Sequence, residues 1–144
     1  MKFHYPAPQA QLEALQEILN ANPEPGIDDI WVTWNPRYIV AEDASLVVGV
    51  AGLSWGDDLC ELFKLYVPPS SKRKGVGTAL VDKTMEILRE NHVAALGIEV
   101  VEGSFPFWEK IAEIYPIEHY YDNKYIFHLH ELSVSCGTGQ CTVR

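Results

Sequence analysis

One stretch, ELFKLYVPPSSKRKGVGTAL at residues 61 to 80, constrains the fold more than any other. From Glu61 to Val67 it is rich in Leu, Phe, Tyr and Val, and Pro68 and Pro69 then withdraw two backbone donors, so a strand ends there. Lys72, Arg73 and Lys74 follow, then Gly75-Val76-Gly77, after which Val76, Leu80, Thr84, Ile87 and Leu88 recur at helical spacing. The order is strand, proline stop, basic glycine loop, and a helix beginning near Gly75. Such a junction favours an anion. The first N–H groups of a helix lack partners and carry the positive end of its dipole, and glycines let a ligand come close to the backbone. Three adjacent cations add charge.

Composition sharpens the point. The net charge is −9 with only eleven Lys and Arg, which speaks against general nucleic-acid binding and makes the basic triplet stand out. The acidic remainder would draw in a cationic partner. A length of 144 residues with 47% hydrophobic content suits one domain with a proper core. No apolar run approaches the roughly 20 residues of a membrane span, and MKFHYPAPQAQ lacks the apolar core of a signal peptide. A cytoplasmic protein without a membrane partner is expected. Cys60, Cys136 and Cys141 form no CxxC pair and read as reduced thiols. His128 and His130 alternate onto one strand face, but with the cysteines they match no zinc spacing, so no metal is expected.

Around the central stretch the chain alternates between strand and helix signals. Lys2 to Tyr5 reads as a short strand, and Leu12, Leu15, Ile18 and Leu19 mark a helix stopping before Asn22-Pro23. Residues 22 to 35 form a loop or short helix carrying Glu24, Asp28, Asp29, Trp31 and Trp34. Arg37 to Glu42 and Leu46 to Ser54 read as a hairpin across Asp43-Ala44-Ser45, and Gly56-Asp57-Asp58 turns into the central strand. Beyond the long helix, Val93 to Val101 is a β-branched run. FPFWEKIAEIY then forms a short helix with Phe107, Ile111 and Ile114 on one face and Trp108, Ala112 and Tyr115 on another. Pro116 stops it, and Ile117 to Tyr121 with Tyr125 to Leu132 reads as a closing hairpin. The domain is expected to span residues 1–132. Residues 133–144, small and polar, read as a flexible tail.

Two familiar glycine loops do not fit. The nucleotide loop ends Gly-Lys-Ser/Thr, whereas Thr78 follows Gly77 directly; the dinucleotide pattern needs a third glycine where Leu80 stands. What the run does resemble is the Gcn5-related N-acetyltransferase (GNAT) family, whose signature is Gln/Arg-x-x-Gly-x-Gly/Ala after a strand. KRKGVG matches it with Lys72 at the first position and both glycines in place, and ELFKLYVPPS resembles the family's fourth strand and its exit. The resemblance implies an α/β, single-domain acyl-CoA N-acyltransferase-like fold. It would have a mixed, mostly antiparallel central sheet of about six or seven strands flanked by about four helices.

It also implies chemistry. Lys72, Arg73, Lys74, Gly75, Val76, Gly77 and Thr78 would hold the pyrophosphate of acetyl-CoA, the cosubstrate, and backbone groups of Leu65, Tyr66 and Val67 its pantetheine arm. Trp31 and Trp34 would wall the acceptor cleft. Acetyl transfer to an amine by direct attack needs a base, an oxyanion donor and a proton for the thiolate. Strand alternation sets Glu61 with Phe63, Leu65 and Val67, opposite Lys64 and Tyr66, and a carboxylate among apolar neighbours would have a raised pKa suited to the base. The family's second motif is met only in part by VEGSFPFWEKIAE. Phe107 and Lys110 match, but Trp108 stands where a Tyr usually serves as acid, Val101 replaces an Asn, and Ala112-Glu113 replace Gly-Phe. An indole N–H is no acid near neutral pH. Tyr115, or Tyr66, would take its place. The expected activity is an N-acetyltransferase acting on a small-molecule or protein amine, with a homodimer left open; the alternative is an impaired CoA-binding or interaction module.

Overall fold

The computed structural model describes residues 1–101 and 103–129. In chain order the elements are β1 (Lys2–His4), α1 (Gln9–Ala21), β2 (Pro36–Asp43), β3 (Leu46–Ser54) and β4 (Leu59–Tyr66). A 3₁₀ turn (Pro69–Ser71), α2 (Val76–Glu90), β5 (Ala95–Glu99), α3 (Phe105–Ala112), β6 (Ile117–Tyr121) and β7 (Lys124–His128) follow. The seven strands form one sheet in the order β1-β2-β3-β4-β5-β7-β6. Pairing is antiparallel for β1/β2, β2/β3, β5/β7 and β6/β7 and parallel for β4/β5. The mixed α/β sheet is therefore as expected, while the described residues hold three α-helices rather than about four. Residues 22 to 35 make no fourth α-helix, because prolines and glycine break the run: Glu24 and Ile27 instead form a lone bridge across Pro25-Gly26. No helix of the described residues is long and apolar enough to cross a membrane.

Two compact units divide the chain. The first comprises residues 1–55 and 62–84. Its core is built where the α1 stripe Leu12, Leu15 and Leu19 meets Ile30, Val40, Val50 and Tyr66, all buried. Each such side chain contributes about 1.5–3 kcal/mol by leaving water. The β2/β3 hairpin closes on Ala44 and Ser45, both at positive φ, in the register Asp43↔Leu46. A two-residue turn with that geometry usually takes Asn-Gly, so here the strands' packing enforces what the turn sequence does not. One helical seat is special. A Cβ on Gly49 of β3 would lie 2.9 Å from both Leu80 Cδ1 and Val76 Cγ1 and 3.2 Å from the Tyr66 carbonyl oxygen. The first turn of α2 can approach β3 only because residue 49 has no side chain.

The second unit comprises residues 56–61 and the chain from Met85 onward. Its ladder between β4 and β5 runs from Leu59↔Ala95 to Glu61↔Gly97, and β7 pairs with β5 from Ala95↔His128 to Glu99↔Lys124. Leu96, Ile98, Trp108, Ile111, Tyr115 and Phe127 are buried. The inward face of α3 and the turn after it therefore differs from the expected one: Trp108, Ile111 and, beyond the helix end, Tyr115 are buried together, while Ile114 is 60% exposed. Trp108 meets Phe107 edge-on and Phe127 at a tilt, with centroids 4.9 and 6.1 Å away, and burying its bulk accounts for the helix rotation.

Candidate active site

The site begins where β4 stops. Pro68 and Pro69 end the strand, a 3₁₀ turn follows with Ser71 N–H donating to Pro68 O at 2.9 Å, and the chain enters the basic loop. Arg73 (φ 65°) and Gly75 (φ 81°) both adopt left-handed backbone on either side of Lys74. Alternation of this kind forms the backbone concavities that bind anions. A non-glycine residue there is unusual and costs about 1–2 kcal/mol, so the loop stores strain at Arg73 where glycine would have stored none.

At the start of α2 the first amide taken by the helix is that of Ala79, which donates to Gly75 O at 3.0 Å. The amides of Val76, Gly77 and Thr78 precede it and have no intrahelical acceptor, as at any helix start. A Cβ built on Gly75 meets no atom within 4 Å, so the space beside that residue is open. Lys72, Arg73, Lys74 and Gly75 are exposed, Gly77 and Thr78 half-buried, and Val76 is buried as the anchor of the turn. The cations are not equivalent. Lys72 Nζ lies 2.9 Å from Glu24 Oε1, an ion pair that nothing in the local sequence announces.

The other residues expected to act fall as follows. Along β4, Cys60, Leu62 and Tyr66 are buried while Leu59, Glu61 and Phe63 are exposed and Leu65 is half-buried, which is the alternation expected. Glu61 is thus a solvent-facing carboxylate on the strand leading to the loop, and a Cβ on Gly97 would sit 3.5 Å from its Cγ. Tyr66 lies wholly in the core of the first unit. Its hydroxyl has no hydrogen-bond partner among the described residues, and burial, with a smaller push from the Glu24 charge, raises its pKa. Its backbone lies at the strand exit.

Trp31 and Trp34 part company. Trp31 packs against the core cluster and meets Tyr38 edge-on at 6.1 Å, whereas Trp34 is 66% exposed. Tyr115 is buried beside Phe127, centroids 6.4 Å apart, with the Arg89 guanidinium 5.7 Å from its ring. No group of three His, Cys, Asp or Glu able to hold a metal occurs among the described residues. His130, Cys136 and Cys141 lie outside the described residues. Sequence reasoning missed Gly49, although an isolated glycine in an apolar strand is a sign of close backbone approach. It also noted Glu24 only as a loop acid.

A mixed seven-stranded sheet, a strand ending in prolines and an open, left-handed, basic loop feeding a helix start define an acyl-CoA-dependent acyltransferase architecture. Comparison agrees: residues 6–114 match the family model of the acetyltransferase (GNAT) family, and the chain belongs to that family. It is an N-acetyltransferase whose acetyl donor is acetyl-CoA and whose acceptor is an amine. Among solved structures, the ribosomal-protein-S18-alanine N-acetyltransferase of Escherichia coli superposes with a TM-score of 0.70 at 15% identity, over 88% of this chain and 89% of that one. Tetrahymena Gcn5 gives 0.65 at 13%, over 90% and 97%. The PaiA N-acetyltransferase of Thermoplasma acidophilum, in complex with coenzyme A, gives 0.62 at 15%, over 88% and 98%. At these identities the likeness is one of fold. No curated protein sequence matches.

Proposed function

We propose that the basic loop and the start of α2 bind the pyrophosphate of acetyl-CoA and that the acceptor is a small cationic amine, acetylated by direct attack. Supporting the first half is Gly75: left-handed, open where a side chain would project, and immediately ahead of three amides that the helix leaves unused. In this reading the amides of Val76, Gly77 and Thr78 donate to phosphate oxygens, and Arg73 and Lys74, both exposed, neutralise charge. Lys72 adds a third cation. The backbone of Leu65, Tyr66 and Val67 hydrogen-bonds the pantetheine arm. Bound acetyl-CoA supplies a thioester carbonyl and a thiolate leaving group. Glu61, exposed on β4, takes the proton from the acceptor amine directly or through water. Tyr115 returns a proton to the sulfur, and Trp34, which is exposed, together with Trp31 offers an apolar surface to the acceptor. The net charge of −9 favours a cationic amine through encounter rate. The expected domain end at residue 132 and the expected tail at 133–144 lie outside the described residues, and the enzyme works in the cytoplasm.

The test is thermal denaturation with coenzyme A or acetyl-CoA. Ligand at 100 times Kd adds about 2.7 kcal/mol, which raises Tm by about 5–10 °C for a chain of this size. Absence of any shift overturns the cofactor reading. Thiol release against a panel of amines then tests the rest. Glu61→Gln should lower kcat by about 10²–10⁴ and leave the coenzyme A shift intact, and Tyr115→Phe should cost less.

A further inference from the structure

The Glu24–Lys72 pair sits at the mouth of the proposed cofactor loop, and the way Glu24 is presented is specific. Glu24, Pro25, Gly26 and Ile27 form a turn closed by Ile27 N–H donating to Glu24 O at 3.3 Å, with Gly26 at φ 89°. Pro at the second position and a left-handed Gly at the third are what a type II turn requires. Ile27 packs against the core cluster, so the turn is anchored. The carboxylate is held out on a rigid bend. Its partner is the opposite, a lysine on a flexible four-carbon stem with three rotatable donors, its side chain 46% exposed against 28% for Glu24. The rest of this loop is fixed by other means: Lys64 Nζ donates to Asp29 O at 2.9 Å, and Ile30 N–H donates to Gln16 Oε1 at 2.9 Å. Neither contact involves residues 72 to 75.

We propose that Glu24 is a resident competitor for the cofactor's phosphate. Its carboxylate occupies Lys72 until acetyl-CoA arrives, and the ammonium then exchanges carboxylate for phosphate oxygen. This rests on the cofactor reading above. The exchange is between two anionic oxygen acceptors for one ammonium. It needs only rotation of the lysine stem, so the Glu24 turn and the helix start stay in place. The consequence is a cofactor affinity held below what the loop alone would give. Glu24 is thereby an affinity-setting residue that makes no contact with the reacting atoms.

The experiment is calorimetric titration of coenzyme A into wild type, Glu24→Gln, Lys72→Met, the double variant and Asp28→Asn. Asp28 is an exposed acid on the same loop and serves as the control for overall charge. A partly exposed pair contributes about 0.2–1 kcal/mol, so Glu24→Gln should bind about 1.4- to fivefold tighter. Lys72→Met should bind more weakly, and in that background Glu24→Gln should change nothing. Asp28→Asn should shift Kd by much less than Glu24→Gln. The proposal is overturned by Glu24→Gln binding no tighter, by its gain surviving in Lys72→Met, or by Asp28→Asn matching it, which would make the effect one of general field. A wild type that fails to bind coenzyme A at all refutes the cofactor reading itself, a different result from wild-type binding with no response to Glu24.

Discussion

Replacing Gly49 by alanine should damage the proposed cofactor site from beneath. The new Cβ would stand 2.9 Å from Leu80 Cδ1 and from Val76 Cγ1, closer than side chains tolerate, and 3.2 Å from the Tyr66 carbonyl oxygen. None of these can easily give way. Leu80 is fully buried and Val76 is 4% exposed, so neither has free space to rotate into, and the third atom is backbone. Overpacking of this kind costs about 1–3 kcal/mol, which lowers Tm by about 2–12 °C for a chain of this length. The alternative to compression is a lift of the first turn of α2, which carries the amides of Val76, Gly77 and Thr78. Gly49→Ala should therefore lose both stability and coenzyme A affinity. Gly97→Ala is the control, since its Cβ would make ordinary contacts at 3.5 Å or more. Urea unfolding reads the first effect as a lower midpoint at unchanged slope, and calorimetric titration reads the second. If Gly49→Ala unfolds within about 0.5 kcal/mol of wild type, α2 is not seated on that glycine and the reasoning fails.

Two further substitutions probe polar groups that the fold places oddly. Tyr66→Phe removes a fully buried hydroxyl with no partner among the described residues, so it should be neutral or stabilise by about 1 kcal/mol, measured as the urea midpoint; a loss above 1 kcal/mol would mean that the hydroxyl is bonded in solution. Glu42 has its pKa lowered chiefly by the hydrogen bond with His4 Nε2 at 2.6 Å, with Gln11 Nε2 donating at 3.3 Å as a lesser cause. A carboxylate with a depressed folded pKa contributes stability above its ordinary value of 4.5 and loses it as pH falls through the folded one. Wild type should thus exceed Glu42→Gln near pH 6 and converge with it toward pH 3, and urea midpoints that stay equally far apart across that range would contradict the assignment.

Local signals carried most of the fold. The helical spacing of Val76, Leu80, Thr84, Ile87 and Leu88 names five residues that are all buried, because an amphipathic helix on a sheet leaves little choice of face. β4 was equally legible, its alternation surviving in the exposure of Glu61 and Phe63 against burial of Cys60, Leu62 and Tyr66. Where two apolar stripes compete on one short helix, spacing cannot choose between them. In α3 the largest side chain decided, and Ile114, in the turn just past the helix, went outside. Strand ends were also overdrawn, since a β-branched run from Val93 to Val101 does not say that pairing with β7 covers only Ala95 to Glu99. Within the site, the Pro-Pro stop and the glycines are local chemistry and were legible. The Glu24–Lys72 pair and the Gly49 seat depend on which distant segments meet, and that is set by sheet register, not by any neighbouring residue.

The same distinction bears on how the proposed reaction tolerates Trp108. The indole is buried against Phe107 and Phe127, so an aromatic of greater volume than tyrosine is accommodated as a packing residue. What is given up is a hydroxyl, and the weight of that loss depends on which proton transfer limits the reaction. A thiol has a pKa of about 8.5, so its thiolate departs near neutrality with only a small deficit. An alkylamine, at about 10.4, is protonated at pH 7 by more than three units and cannot attack until the proton is removed. The larger share of the barrier that side chains can lower therefore lies with the base. If Glu61 is the base, as proposed, a chain with that exposed carboxylate and a packed tryptophan at 108 has the costlier of the two functions, which is why Tyr115→Phe is expected to be milder than Glu61→Gln.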